Sequence, residues 1–336
     1  MRIAVDAMGG DFAPREIVRG AAEAVDLPSV TKVYLVGDET AIRKELAACG
    51  AAAASPKLEV RHASEVVEMG EHPAQAVRRK RDSSIGRCVD LAKSGEADAV
   101  VSAGNTGAVV VAATLKLRTL SGVERPSIAM VMPTRRRPFV LIDAGANVDC
   151  PPTDLLQFAV MGSVYARVIL GRDNPVVGLL SIGGEDIKGN EITKEAFGFL
   201  SRTRLNFRGN VEGHDLFHGE TDVVVCDGFI GNIVLKTSES VAIAIGHWMK
   251  HEFTRNPLRI VGASLLRGAL KAMKGRMDPE LYGGAPLLGI NGVCIITHGA
   301  SSSTAILHAI RVACESVGHD VNHLIVDEMK KLETVA

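Results

Sequence analysis

The sequence predicts an α/β protein with a mainly parallel sheet between two layers of helices, a three-layer α/β/α arrangement. Short apolar runs alternate with helical patterns along the whole chain, as expected for strands joined by helices. Most of these runs are continuous in Val, Ile and Leu, which is typical of strands covered on both faces. No internal repeat or low-complexity linker divides the 336 residues. We therefore expect a single domain over residues 1–336.

The individual elements follow from these patterns in chain order. The apolar runs predict strands at residues 3–6, 33–36, 58–61, 99–102, 128–132, 140–143, 176–181, 222–226 and 293–297. Between them, apolar residues recur at helical spacing and predict helices at residues 15–24, 41–49, 85–93, 107–117, 153–170, 193–203, 233–249 and 302–317. Pro14 stands immediately before the first helix, where the fixed φ of proline is favourable.

Composition excludes several classes of protein. Hydrophobic residues make up 46% and charged residues 23% of the chain, which excludes a disordered or fibrous protein. Lys and Arg total 38 against 39 Asp and Glu, so no net positive field favours nucleic acid. The six cysteines lie far apart without a C-x-x-C pair, which favours a reducing compartment over a disulfide framework. Asp6 and Asp11 interrupt any signal-peptide region, and no apolar run approaches the ~18 residues of a membrane span, so we expect a cytoplasmic protein with at most peripheral membrane contact.

Glycine is abundant, at 34 of 336 residues, and is concentrated where the predicted strands end. Gly stands beside Asn, Asp, Ser or Thr at the strand ends covering residues 6–11, 102–107, 143–147, 181–189 and 227–232. Glycine lets backbone amides approach a ligand, and a helix N-terminus presents unpaired N–H groups to an anion. One such loop is more often a plain turn or cap, but we expect all five loops at one edge of the sheet. Together they predict an anion site.

The motifs that are missing limit which anion binds. Neither G-x-x-x-x-G-K-[ST] nor a G-x-G-x-x-G after the first strand is present, which disfavours a nucleotide cofactor and favours a small phosphate. Lys188, between Gly184 and Gly189, can act as a point charge for phosphate or a developing oxyanion, although a solvated loop lysine is the more ordinary interpretation. No G-x-S-x-G elbow or catalytic cysteine motif occurs, so we expect a substrate to supply the nucleophile.

The histidines do not predict a metal site. Three pairs have i,i+4 spacing, but none has Glu next to the first His as H-E-x-x-H requires. The pairs are His214/His218, His247/His251 and His319/His323. His298, which follows the last predicted strand and precedes Gly299, is the better functional candidate. The alternative is that His298 is a polar residue capping the final helix.

Two basic clusters and one basic segment stand out against the neutral net charge. The clusters, at residues 78–81 and 135–137, lack the interleaved aromatics of a nucleic-acid site, so each is a solvated face or a landing patch for an acidic protein. Residues 250–276 carry seven Lys or Arg against one acid, Glu252, with apolar residues at near-helical spacing. This segment either lies on an anionic membrane surface or is a surface helix packed on the domain or a partner subunit.

A set of motifs in a characteristic order runs through essentially the whole chain. They lie at residues 6–11 with 13–14, and at 80–85, 102–108, 143–147, 178–189, 206–213, 222–232, 282–289 and 298–301. Together they resemble the PlsX family of bacterial acyl-ACP:phosphate acyltransferases. The chain departs from the family pattern at Ser181, Gly184 and Ala144, which affects the expected loop geometry and not the family.

The resemblance implies that acyl-ACP and inorganic phosphate give acyl phosphate and free ACP at the start of phospholipid synthesis, without a cofactor. It implies a fold related to the phosphotransacetylases and isopropylmalate dehydrogenases, and a homodimer. It also implies peripheral association with the inner face of the membrane, where a downstream membrane acyltransferase would use the acyl phosphate. Because ACP is acidic, one basic cluster acquires a partner. The favoured ACP contacts are Arg78, Arg79, Lys80 and Arg81, and the favoured membrane contacts are Ile260, Val261, Leu265 and Leu266.

For this reaction we expect a phosphate oxygen to attack the thioester carbonyl directly, with proximity and electrostatics supplying most of the acceleration. Lys188 and Asn232 are the candidates for orienting phosphate or stabilising the tetrahedral oxyanion, and His298 for proton transfer to the thiolate. The residues expected to bind phosphate or substrate are Asp6, Gly9, Gly10, Asp11, Gly104, Asn105, Thr106, Gly107, Asn147 and Asp227.

Two functions of other classes stay open. One is an NAD-dependent decarboxylating dehydrogenase on the related fold, which the missing dinucleotide motif disfavours. The other is a non-catalytic scaffold that binds ACP and the membrane. Phosphate-dependent release of free ACP thiol from a long-chain acyl-ACP, without nucleotide, separates all three.

Overall fold

The computed structural model describes residues 1–50, 55–277 and 283–333. Tyr282, the first residue of one family motif, and residues 334–336 of the expected domain lie outside the described residues. The strands are β1 (Arg2–Asp6), β2 (Lys32–Gly37), β3 (Leu58–His62), β4 (Ala99–Ser102), β5 (Ser127–Met132), β6 (Phe139–Ile142), β7 (Val176–Leu180), β8 (Asn206–Val211), β9 (Val223–Val225), β10 (Ala285–Leu288) and β11 (Cys294–Ile296). The helices are α1 (Arg15–Ala24), α2 (Glu39–Ala48), α3 (Pro73–Arg79), α4 (Ser84–Lys93), α5 (Thr106–Leu117), α6 (Pro152–Ile169), α7 (Glu191–Leu200), α8 (Gly228–Thr254), α9 (Pro257–Leu265), α10 (Arg267–Met277), α11 (Ser303–Gly318) and α12 (Val321–Glu333).

All of the strands and helices predicted from apolar patterns are present, and four further elements are not among them. β8 is an edge strand with exposed positions, so it shows no apolar run. β10 is short and contains Pro286. α3 is a short helix whose residues are mostly polar or small. α12 has a pattern that is detectable in the sequence. Val321, Ile325 and Met329 recur at helical spacing, and all three are buried.

The described strands form one eleven-stranded sheet in the order β3-β2-β1-β4-β11-β10-β5-β6-β9-β7-β8. Antiparallel pairing is confined to β11–β10, β10–β5 and β5–β6, so the prediction of a mainly parallel sheet is confirmed. Because of these three successive reversals, β6, β9 and β7 run in the opposite direction to β1 and β4. The expectation that all five glycine loops share one edge is therefore wrong, because β10 and the antiparallel pairing of β5 are not visible in the apolar pattern of the sequence.

The strand register nevertheless brings the oppositely directed halves to nearly the same level. Asp6, Ser102 and Ile296 are paired across β1, β4 and β11. β11 pairs with the start of β10, the end of β10 with the start of β5, and early β5 with the end of β6. Because β10 has only 4 residues, Asp143 after β6 lies about two residues, roughly 7 Å, from the level of Ile296.

Helices cover both faces of the sheet. In the first half, α1 and α11 bury Ile17 and Ile306 against one face, while α4 and α5 bury Val89 and Val109 against the other. In the second half, α6 and α12 pack on one face, and the start of α8 packs with residues such as Leu141 on the opposite face. These four apolar clusters hold the loops at the strand ends in place.

Helices α8, α9 and α10 expose most of their apolar side chains. Only Gly228 and Gly231 of α8 are buried, and α9 has no buried residue. By length and composition α8 would be long enough to cross a membrane, with a mean hydropathy of 1.3 in its most apolar window, 17% of which is buried. This corrects the expectation that no stretch approaches that length. The basic segment is helical as predicted, with a break at Asn256, the cap of α9; the side chains of Lys274 and Arg276 lie outside the described part of the chain.

Candidate active site

The loop after β1 begins with a buried carboxylate. Asp6 is 2% exposed, and its Oδ2 accepts a hydrogen bond from Ser102 Oγ at 2.7 Å. Asp6 Oδ1 accepts a weaker bond from the N–H of Met8, at 3.3 Å. Ser102 Oγ in turn accepts from the N–H of Gly104 at 3.1 Å. Burial raises the pKa of Asp6, although hydrogen bonds from Ser84 and Ser102 act to lower it. Asp6 therefore ties the loop after β1 to the loop after β4.

Glycine is required where these two loops meet. A Cβ added to Gly9 would lie 2.6 Å from Asp6 Oδ2 and 2.6 Å from the amide nitrogen of Gly104, closer than real Cβ atoms approach. Any side chain at Gly9 would push the loops apart. Two of the predicted phosphate-binding glycines are thus in direct contact.

The start of α5 follows the second of these loops. Asn105 Oδ1 accepts a hydrogen bond from the N–H of Ala108 at 3.0 Å, and Asn105 Nδ2 donates to backbone carbonyls of residues 68–71 at 3.0 to 3.3 Å. These bonds occupy both polar ends of the side chain, so a phosphate contact by Asn105 would have to replace one of them. The N–H groups of Thr106 and Gly107 open the helix, where the geometry leaves them without an intrahelical partner and the helix dipole favours an anion.

The loop after β11 completes this arrangement. The N–H of Asp11 donates to Gly299 O at 2.7 Å. His298 is exposed, and its Nδ1 accepts from the N–H of Ala300 at 3.1 Å, so the proton of the neutral ring lies on Nε2. Ser302, and not His298, caps the last long helix α11, which removes the capping alternative for His298. We call residues 6–14, 102–108 and 297–303 the first loop group.

The loop after β6 is built around a second buried carboxylate, Asp143. Its side chain accepts five hydrogen bonds at 2.7 to 3.1 Å. The donors are the backbone N–H groups of Ile128, Gly145, Ala146 and Asn147 and the side-chain amide of Asn147. Burial raises the pKa of Asp143, although the bonds from Ala146 and Asn147 act to lower it. Asp143 thereby determines the shape of the loop that carries Asn147.

The start of α8 packs directly on this loop. Asp227 caps the helix, its Oδ1 accepting from the N–H of Ile230 at 2.8 Å, and the N–H of Gly228 donates to Asn147 O at 2.7 Å. A Cβ on Gly231 would overlap the carbonyl oxygen of Asp143, so only glycine fits there. Asn232, the next residue, is exposed on the first turns of the helix.

The loop between β7 and α7 carries Lys188. Its backbone is held by a hydrogen bond from Gly184 N–H to Glu212 Oε1 at 3.1 Å and by one from Asn210 Nδ2 to Glu185 O at 2.8 Å. The Lys188 side chain is exposed, and no carboxylate in the described part of the chain forms an ion pair with it. Its charge is therefore available to an anion.

The structure divides the predicted site residues into two groups. The loops after β6, β9 and β7 are neighbours because these strands are adjacent and parallel, and we call residues 143–148, 181–190 and 226–233 the second loop group. The first group contains Asp6, Gly9, Gly10, Asp11, Gly104, Asn105, Thr106, Gly107 and His298. The second contains Asn147, Lys188, Asp227 and Asn232. Where one of the hydrogen bonds given above joins two of these loops, both loops belong to the same group.

Asp143 and Ser102 were not selected from the sequence as site residues. Asp143 had a detectable signal, because it ends an apolar strand and begins an Asp-Ala dipeptide just as Asp6 does. Ser102 had none beyond its place at the end of β4. Its contribution depends on a contact with Asp6, 96 residues away in sequence.

The basic cluster at residues 78–81 is partly neutralised within the chain. Lys80 forms an ion pair with Glu71 and donates to Val66 O at 2.6 Å, and the Lys80 ammonium lowers the pKa of Glu71. The three arginines of the cluster are exposed. The cluster therefore presents arginine side chains rather than four free cations.

The described residues contain neither a candidate metal site nor an activated cysteine thiol. Within residues 1–50, 55–277 and 283–333, no group of three or more His, Cys, Asp or Glu is arranged to hold a metal ion. All six cysteine thiols are free. Burial raises the pKa of Cys150, beside the second loop group, to about 12, and raises that of Cys226 as well, so both remain thiols at neutral pH.

The fold is shared with a group of α/β proteins that includes phosphotransacetylases. A phosphotransacetylase from Streptococcus pyogenes superimposes with a TM-score of 0.64, covering 94% of both chains at 18% sequence identity. At that identity the likeness establishes the fold alone.

Closer relatives identify the family. The family model described as a fatty acid synthesis protein matches residues 1–324. A protein named phosphate acyltransferase from Pelotomaculum thermopropionicum is 50% identical over 335 residues, which cover 100% of this chain and 96% of the relative. Another of that name from Desulfitobacterium hafniense is 51% identical over 332 residues, covering 98% of this chain and 97% of the relative. The chain therefore belongs to the phosphate acyltransferase family, as the order of its motifs predicted.

Proposed function

We propose that the chain transfers a long-chain fatty acyl group from acyl-ACP to inorganic phosphate, giving acyl phosphate and free ACP for phospholipid synthesis. The observation that carries this proposal is the full-length identity of 50% with a phosphate acyltransferase. Acyl transfer to phosphate follows from that family, and the relatives given above lend no support to the dehydrogenase alternative. The thioester donor, the site residues and the membrane location are the finer parts of the proposal.

In the proposed mechanism a phosphate oxygen attacks the thioester carbonyl, so that a C–O bond forms and the C–S bond breaks. Lys188 supplies a point charge that lacks a carboxylate partner in the described chain. Asn232, which follows the adjacent strand β9, supplies neutral hydrogen-bond donors. In this proposal both residues orient phosphate or stabilise the oxyanion, which develops charge only in the transition state.

The leaving thiolate takes up the proton that phosphate releases, and His298 is the proposed carrier. Its Nδ1 is occupied by the N–H of Ala300, so Nε2 is the nitrogen that exchanges a proton with substrate. The amides of Thr106 and Gly107, at the start of α5, give phosphate a second set of donors, and the close contact of Gly9 with Gly104 holds this helix start against the loop after β1.

We propose the basic cluster as the docking surface for ACP, an acidic protein. Arg78, Arg79 and Arg81 expose three guanidinium groups, while Lys80 is held by Glu71. Exposed arginines favour fast association with an acidic partner because their charges attract that partner before the two proteins are in contact. Lys80 would then contribute by fixing α3 rather than by direct contact.

Helices α8, α9 and α10 are the proposed contact with the inner face of the membrane and with a second subunit. Ile260, Val261, Leu265 and Leu266 are exposed, and the exposed cations Arg267 and Lys271 follow them in sequence, whereas Arg255 and Arg259 pair with Glu252. Apolar side chains with flanking cations suit an anionic lipid surface. Peripheral attachment would place acyl phosphate where a downstream membrane acyltransferase uses it.

The decisive experiment measures free thiol released from a long-chain acyl-ACP, with and without inorganic phosphate and without nucleotide. Phosphate-dependent release supports the proposal. No release would overturn the proposal; reduction of NAD with loss of CO₂ from a hydroxy acid, measured in a parallel assay, would then favour the dehydrogenase, and binding of ACP without release would favour the scaffold. If Lys188 and Asn232 stabilise the transition state, Lys188→Ala and Asn232→Ala should each lower the rate by roughly 10²-fold. Near-wild-type turnover in either variant would remove that residue from the mechanism.

A further inference from the structure

The second loop group exposes large apolar side chains where an enzyme for a small anion would need none. Val148 is 61% exposed, Phe229 58% and Ile233 50%. Ile182 and Ile187, in the neighbouring loop after β7, are 82% and 77% exposed. Scattered exposed apolar residues are ordinary in proteins. These five, however, surround the ends of three adjacent strands, β6, β9 and β7.

Each of the three loops also pairs an apolar side chain with a polar one at the next position. The pairs are Asn147-Val148, Ile187-Lys188 and Asn232-Ile233. The apolar core of a protein–protein interface is depleted of charge, with polar residues kept at its rim. Here polar and apolar residues alternate from one position to the next. This pattern suits a ligand other than a protein, one whose charged and apolar parts are joined within a few bonds.

We propose that Val148, Ile187, Phe229 and Ile233 bind the part of the fatty acyl chain next to the reacting carbonyl. This inference rests on the proposed function, since it takes Lys188, Asn147 and Asn232 as the residues that hold phosphate or the oxyanion. An acyl phosphate is anionic at its head and apolar from the second carbon onward, so its first methylenes must lie beside the residues that hold the head. Val148, Ile187 and Ile233 are each next in sequence to one of these polar residues, and Phe229 lies one helical turn before Asn232 and Ile233 on α8.

Burial of the chain against these residues makes the reaction depend on chain length. Each methylene removed from water is worth about a 4-fold gain in binding. Contact with one apolar side chain removes about one methylene of the acyl chain from water. Because these side chains are at least half exposed, replacing them should leave the unfolding transition where it is in the wild type.

The test compares kcat/KM for a hexadecanoyl and an acetyl thioester of ACP, at saturating phosphate, because the acetyl donor lacks the methylenes next to the carbonyl that these side chains would contact. In Ile187→Ser and Ile233→Ser the ratio of the two values should fall by about 4-fold each, mainly through loss of activity on the longer donor. Ile187→Leu should restore the ratio, which a merely structural role would not require. Leu115→Ser is the matched control, because Leu115 is 60% exposed on α5, outside both loop groups, and its ratio should not change.

The outcomes separate this inference from the proposed function. If the wild type releases no thiol from either donor, the proposed function fails and the inference falls with it. If the wild type is active but both serine variants keep its chain-length ratio, the inference alone is wrong. A drop of equal size on both donors would also overturn it, because the side chains would then affect the head group and not the chain.

Discussion

Replacing Asp143 with asparagine tests whether this buried carboxylate positions the loop that carries Asn147. One carboxylate oxygen accepts three backbone N–H groups, and the other accepts the backbone and side-chain N–H of Asn147 at 2.7 and 2.9 Å. An amide offers oxygen on one side only, so its NH₂ group would face the two Asn147 donors. Hydrogen bonds to charged groups contribute about 1.5–3 kcal/mol each, so losing two costs about 3–6 kcal/mol. Removing a buried charge offsets part of this loss, and we expect Asp143→Asn to lower the free energy of unfolding by about 2 kcal/mol.

The functional consequence should appear in the KM for phosphate. A displacement of about 1 Å in a substrate-binding group can cost on the order of 10²-fold in rate, so we expect kcat/KM for phosphate to fall by about 10- to 100-fold. Steady-state kinetics with varied phosphate at saturating acyl-ACP measure this directly, and denaturant unfolding measures the stability in parallel.

Asp154→Asn is the matched control for this prediction. Asp154 is 1% exposed and burial raises its pKa too, but it pairs with Arg125 at the start of α6 and lies outside both loop groups. It should lose stability without a change in the KM for phosphate. The reasoning is refuted if Asp143→Asn loses stability while its phosphate kinetics stay at the wild-type level, because the carboxylate would then serve folding alone.

Three further predictions follow from the same structure. Burial holds the folded-state pKa of Asp6 above its ordinary value of 3.8, so the folded chain binds the Asp6 proton more tightly than the unfolded chain. The free energy of unfolding should therefore fall as pH rises from 3.8 to the raised pKa. Denaturant titrations across pH measure this slope, which Asp6→Asn should flatten. Gly231→Ala should destabilise the fold by about 3 kcal/mol because its Cβ overlaps Asp143, whereas Gly246→Ala on the same helix meets no atom within 4 Å and should be neutral or stabilising in the same unfolding assay. Glu at both Leu265 and Leu266 should abolish sedimentation with vesicles of anionic phospholipid and leave turnover in solution unchanged; binding that survives would place the membrane contact elsewhere.

Local patterns were sufficient to predict the layers of this fold. Strands such as β1 and β4 are buried on both faces and read as continuous apolar runs, so their positions were visible in the sequence. β8 and β10 were not visible, because one is a half-exposed edge and the other is a short strand containing Pro286. A strand that gains its stability from its neighbours leaves little trace in its own residues.

The loops of the candidate site were predicted correctly as segments, but not how they assemble. Glycine beside Asn or Asp at a strand end is a local signal, and it located the loops that hold Gly9, Asn147 and Lys188. Strand direction is not local, so the division into two loop groups had to come from the sheet. The ion pair of Lys80 with Glu71 shows the same limit, since a basic run does not reveal which of its charges is already paired.

Asp6 and Asp143 hold equivalent loops in the two halves of the sheet, and β10 determines how far apart those loops lie. Both carboxylates end a parallel strand, both are buried, and both accept N–H groups from the loop that follows. Because the halves run in opposite directions, each residue added to β10 would move Asp143 away from the level of Asp6 by about 3.3 Å. A substrate that contacts both loop groups therefore depends on a strand of 4 residues that the apolar pattern of the sequence did not predict. Strand length in the middle of the sheet, as much as the residues at its ends, thus sets which substrates can reach both sets of donors.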